Sequence, residues 1–185
     1  MSNEQYNKLK NSFSQLINSN VVSKIESNSI KIEEENSNAK GKGEYVIINR
    51  LKDCIPINLD QNESKIYFFN KDVSRNDQTI FYVENNKLYI ILIELKSCKK
   101  GKGEKQIRYG KVLADFIIDI LEKETDIKFD EREYRGYIFT TRNSVKRSPS
   151  LREKKFKYDK EVENIYIKEV RTNSKYVFND LVLPR

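Results

Sequence analysis

Residues 88–95 are apolar or aromatic at every position but one, and the exception is a carboxylate, Glu94. A run this short and this rich in isoleucine and leucine reads as a strand buried on both faces, at the centre of a sheet. A charge there is costly unless something compensates it. Upstream, residues 79–84 are mostly β-branched and aromatic, and Asn85-Asn86 separates the two runs. Asparagine tolerates the positive φ that a two-residue hairpin turn demands. With that turn Glu84 faces Lys87, and continuing outward rung by rung puts Asp77 opposite Glu94. Directly opposed residues have β-carbons about 4.5–5.5 Å apart. Lys96 lies two residues beyond Glu94 and therefore on the same face. Two adjacent carboxylates repel unless a cation lies between them. A lysine beside such a pair points to a metal site that handles phosphate.

The rest of the chain supplies partners for this hairpin. Residues 3–18 have helical periodicity in Tyr6, Leu9, Phe13, Leu16 and Ile17, with Ser2 and Gln5 spaced as a capping box. Residues 21–32 fit a short helix or a strand equally, and the polar stretch 33–43 is a surface loop or a hairpin connection. Residues 44–51 and 65–70 are strand candidates. After the hairpin comes a basic loop punctuated by glycines. Residues 105–123 form the clearest helix, with Ile107, Leu113, Phe116, Ile117, Ile120 and Leu121 predicted to make a broad core-facing side. Residues 134–141 form a further strand, which a helical crossover should place parallel to 88–96. Residues 164–170 and 176–178 read as a C-terminal hairpin.

Composition mainly excludes. At 185 residues the chain is expected to be one domain. The absence of histidine removes histidine-based triads, general bases and zinc sites. Two cysteines, Cys54 and Cys98, are too few for a zinc cluster or a disulfide framework. The net charge of +7 permits a polyanionic partner without demanding one. No apolar run approaches the roughly 18 residues of a membrane span. The first ten residues have no signal-peptide core, so the expectation is a cytoplasmic protein without membrane contact.

The order helix, three strands, helix, strand, with Asp77, Glu94 and Lys96 on the hairpin, resembles the PD-(D/E)xK nuclease superfamily. The motif-bearing stretch covers about residues 66–141. The resemblance implies a restriction-endonuclease-like αβββαβ core in the α/β class, with a mixed sheet flanked by helices. The core would span about 1–141, followed by a basic loop at 142–160 and the hairpin extension at 161–185. It further implies Mg²⁺-dependent (or Mn²⁺-dependent) hydrolysis of phosphodiester bonds in nucleic acid, with DNA the expected substrate. Asp77, Glu94 and the Leu95 backbone carbonyl would hold the metal, and Lys96 would orient the attacking water or neutralise developing charge.

An acid-x-Lys triplet by itself is uninformative, since it recurs at 63–65, 126–128 and 153–155. The apolar setting singles out Glu94. Asn76 stands where the motif's proline would be, and Asp72 is a rival first carboxylate in a different register. An additional acid, which many members carry on the first helix, would come from Glu4, Glu26 or Glu33–Glu35. Gln106 and Tyr109 are similar to the Gln-x-x-x-Tyr pair of exonuclease-like branches, one residue shorter, and are candidate accessory residues. Residues 142–160 carry eight Lys or Arg against two acids. Lys146, Arg147, Arg152, Lys154, Lys155 and Lys157 are the candidate nucleic-acid contacts, with Phe156 and Tyr158 placed to stack on bases. A second reading keeps the fold without catalysis, binding nucleic acid or a partner protein in a larger complex.

Overall fold

The computed structural model describes residues 2–33, 45–59, 75–96, 103–140 and 158–182. The strand candidate at 65–70, Asp72, Glu34, Glu35, Cys98 and the six basic candidates between 146 and 157 lie outside these residues.

The hairpin forms as its sequence dictates. β4 (Gln78–Glu84) and β5 (Lys87–Lys96) pair antiparallel from Glu84↔Lys87 to Gln78↔Ile93. The turn is Asn85-Asn86, with φ of 51° and 61°. Its first partner is β3 (Cys54–Ile57), antiparallel to β4. α2 (Gly103–Glu124) then crosses to β6 (Glu131–Thr140), parallel to β5 with Lys96 beside Thr140. β8 (Ile165–Arg171) follows parallel to β6, and β7 (Lys160–Val162) closes the edge antiparallel to β8. The result is a six-stranded mixed sheet in the order β3-β4-β5-β6-β8-β7.

Strand alternation sorts the side chains into two cores. Leu88, Ile90 and Leu92 face α2 and α1 (Ser2–Leu16), packing with Leu9, Phe13, Ile107 and Ile118. Ile91, Ile93 and Leu95 face the other way, toward a second sheet and the short α3 (Phe178–Val182). That second sheet is mixed: β1 (Ser29–Glu33) pairs antiparallel with β2 (Tyr45–Asn49), and β9 (Ser174–Val177) lies parallel to β2. The chain is thus α/β, with α1 and α2 on one face of the central sheet, and α3 and a smaller sheet on the other. No helix among the described residues is long and apolar enough to cross a membrane.

Four expectations are corrected. Residues 45–49 form a strand, but in the second sheet. The strand beside the hairpin is Cys54–Ile57, whose four residues including a proline are too short to stand out. The C-terminal hairpin joins β7 to β8, while residues 174–177 cross to the second sheet. Gln5 does not cap its own helix: its side chain exchanges two hydrogen bonds with Asn86, donating to Oδ1 (3.1 Å) and accepting from N–H (3.0 Å). The hairpin turn is the better partner because it presents a fixed donor and acceptor side by side. Phe116 does not enter the core, and 59% of it is exposed.

Candidate active site

The β4–β5 ladder ends at Gln78↔Ile93, so Asp77, one residue earlier, continues it opposite Glu94. Glu94 and Lys96 share the parity of Leu88, Ile90 and Leu92, and Asp77 that of Phe81 and Val83. All three therefore face α2. Asp77 Oδ2 accepts a hydrogen bond from the Leu95 N–H at 2.5 Å. N–H and C=O of one strand residue leave the same edge, so the Leu95 carbonyl is on the Asp77 side as well.

Glu94 is 0% exposed. Lys96 Nζ forms an ion pair with its Oε1, yet among the described residues neither carboxylate oxygen has a hydrogen bond of regular geometry. Burial first, and the neighbouring Asp77 charge second, push the Glu94 carboxyl up to about 8, against the opposing pull of Lys96. The Lys96 ammonium thus offsets the burial of Glu94 only in part.

Helix α2 closes the site from above. Gln106 Nε2 donates to the Arg75 carbonyl at 3.0 Å, holding the backbone two residues before Asp77. Asn76 is buried, and its Nδ2 donates to the Gln78 carbonyl (2.6 Å) and to Thr79 Oγ1 (3.0 Å). These bonds fix the chain on both sides of Asp77. At the start of α2, a β-carbon on Gly103 would lie 3.0 Å from Ile138 Cγ2 and 3.5 Å from Lys96 Cγ. The helix N-terminus, with its partial positive charge, therefore sits against the Lys96 stem.

The other candidates disperse. Tyr109 is on the solvent side of α2, with Lys105 Nζ 5.5 Å above its ring. Glu4 is exposed and pairs with Lys8 at 3.2 Å. Its neighbour Gln5 holds Asn86, eight strand residues and so roughly 26 Å from Glu94. Glu26 is exposed in the turn before β1, and Glu33 ends that strand paired with Lys31. Among the described residues, no group of three or more acidic or cysteine side chains could hold a metal. Cys54 is a buried free thiol, raised to about 12 by burial and then by Asp53. It lines a cavity of about 480 Å³ between α1 and β3, together with Tyr6, Phe13, Val22, Ile55 and Pro56, and this cavity includes none of the predicted site residues.

Asn76 and Gly110 were not among the predicted site residues. A lone glycine inside a strong helical pattern was the available signal, because it costs about 1 kcal/mol against alanine and needs a packing reason.

The donors present fit Mg²⁺. This cation binds through one or two carboxylates and keeps several waters, so Asp77, Glu94 and one backbone carbonyl are a sufficient protein contribution. The fully buried Glu94 opposite Asp77, itself held by the Leu95 N–H, is the observation that makes the fit. No protein-family model matches the chain, and no curated protein or solved structure is significantly similar to it.

Proposed function

We propose that this chain is a Mg²⁺-dependent nuclease of restriction-endonuclease-like fold that hydrolyses phosphodiester bonds in nucleic acid, with DNA the expected substrate. The observation that carries the reading is Glu94, a fully buried carboxylate set beside a second acid, Asp77, with Lys96 on the same face. A structural salt bridge would need only Lys96. It would not need a second acid fixed by the Leu95 N–H, and Asp77 makes the burial of Glu94 more costly. The connectivity α1, β3-β4-β5 antiparallel, α2, β6 parallel to β5 supports the fold assignment, with β1 and β2 inserted after α1.

In this reading Asp77, Glu94 and the Leu95 carbonyl hold the cation, which when bound polarises the scissile phosphate and acidifies a water. Asn76 and Gln106 keep Asp77 in position. With Glu94 compensated by the metal, the Lys96 ammonium is available to the phosphate or the attacking water, where charge builds up in the transition state. The α2 N-terminus adds positive potential on the same side.

Cleavage assays on single- and double-stranded DNA and RNA test the proposal. Activity is expected with Mg²⁺ or Mn²⁺ and not in chelator. Asp77→Ala, Glu94→Ala and Lys96→Ala should each lower the rate by roughly 10²-fold or more while substrate binding changes far less. A wild-type protein that binds nucleic acid or a partner protein and cuts nothing would replace the nuclease reading with a non-catalytic one on the same fold.

A further inference from the structure

The side of α2 turned away from the sheet carries exposed apolar side chains among its charged ones. Val112 and Phe116 are 63% and 59% exposed, more than any other large hydrophobic side chain among the described residues. Each lies two residues, about 200° round the helix, from a buried position, Gly110 and Ala114 respectively. Tyr109 is exposed beside them, and Leu113 and Ile120 are half-buried. Phe116 was expected in the core, so its place in solvent needs its own reason.

The stripe has an internal symmetry. Lys105, Tyr109, Leu113, Phe116, Ile120 and Glu124 follow one another at intervals of four, four, three, four and four. The pattern reads the same from either end. Two copies of such a helix laid antiparallel are self-complementary about a two-fold axis between Ala114 and Asp115. Tyr109 then meets Ile120 of the second copy, Leu113 meets Phe116, and Val112 packs beside Phe116. At each end Lys105 meets Glu124, opposite charges on exposed side chains. Arg108 and Asp119, also near the stripe, are already engaged by Glu163 and Arg132.

We propose that this face of α2 docks a second copy of the chain, forming an antiparallel, two-fold symmetric helix pair. A helix of 22 residues is about 33 Å long and about 10 Å wide, a footprint on the order of 330 Å² per partner. Standard stable interfaces bury about 800 Å² per partner. The dimer is therefore weak, reversible and concentration-dependent. The active-site side of α2 faces the sheet, so pairing does not depend on the nuclease reading.

Sedimentation of the full chain from about 5 µM to about 1 mM tests this. The wild type should pass from monomer to dimer. Phe116→Glu should weaken association at least about tenfold, with an unchanged circular dichroism spectrum because the position is exposed. Val112→Lys gives the same readout should Phe116→Glu lower the melting temperature. Lys105→Glu should weaken the dimer, and Lys105→Glu combined with Glu124→Lys should restore it. A wild type that stays monomeric at about 1 mM, or a dimer indifferent to Phe116→Glu and Val112→Lys, overturns the proposal. Failure of the double charge swap to restore association overturns the antiparallel register.

Discussion

The side-chain oxygen of Asn76 lies 2.2 Å from the point where a β-carbon on Gly110 would stand. The amide cannot simply swing away, because its nitrogen is bonded to Gln78 and Thr79 in the interior. Gly110→Ala should therefore displace Asn76 and disturb the chain at Asp77. Overpacking costs typically 1–3 kcal/mol, and alanine returns up to about 1 kcal/mol of helix propensity. The net expectation is a loss of up to about 2 kcal/mol in denaturant unfolding, with weaker Mn²⁺ binding. Asn76→Ala leaves the Gln78 carbonyl short of a donor and should cost about 1–3 kcal/mol. Because both changes act on one pair of neighbours, the double mutant should cost less than the two singles added together.

Glu94 gives the metal-free protein a distinctive pH dependence. Burial, and then the Asp77 charge, push its carboxyl up to about 8 in the folded chain from an ordinary value of 4.5. Between those values the folded state keeps a proton that the unfolded state has lost, so stability falls as pH rises through the window. The fall amounts to about 1.4 kcal/mol for every pH unit crossed, a few kcal/mol in all between about pH 4.5 and 8. Urea unfolding at several pH values should show it. Asp77→Asn should flatten the decline by removing the neighbouring charge, and saturating Mg²⁺ should flatten it in the wild type. A profile level across this range would show that Glu94 is ionised in the metal-free fold.

If the chain is the nuclease proposed, the basic stretch should meet nucleic acid at this site: the described residues before it end at Thr140, beside Lys96, and those after it include Lys160, which pairs with Glu104 in the first turn of α2. Neutralising Lys146, Arg147 and Arg152 together should weaken binding whatever the base sequence, because phosphate contacts position without reading bases. The slope of log K against log salt should flatten by roughly 0.7–0.9 for each phosphate that no longer meets a cation. Salt titrations of wild type and triple mutant, both carrying Glu94→Ala to silence cleavage, measure it. Equal slopes would remove this stretch from the interface.

What could be read from the sequence was local or period-bound. The Asn85-Asn86 turn set the register of the seven pairs from Glu84↔Lys87 to Gln78↔Ile93, because a two-residue loop leaves no slack. The parallel placement of β6 followed from the length of α2. What escaped reading was long-range. Nothing local distinguishes a strand at 45–49 that joins the central sheet from one that pairs with 174–177, more than 120 residues away. Glu94 and Lys96 were legible because a charge interrupts an apolar run. Gln106 was legible as a candidate, but its bond to the Arg75 carbonyl depends on how α2 crosses the sheet. The exposed side of Phe116 was misread because an apolar stripe looks the same whether it meets the core or another molecule.

The sharpest test is direct observation of a cation between Asp77 and Glu94. Crystals of the wild-type chain soaked in Mn²⁺ should give an anomalous difference peak bridging the two carboxylates, with the Lys96 ammonium moved away from Glu94 Oε1. An empty map at saturating Mn²⁺, with Lys96 still paired to Glu94, would contradict the metal site and with it the proposed nuclease.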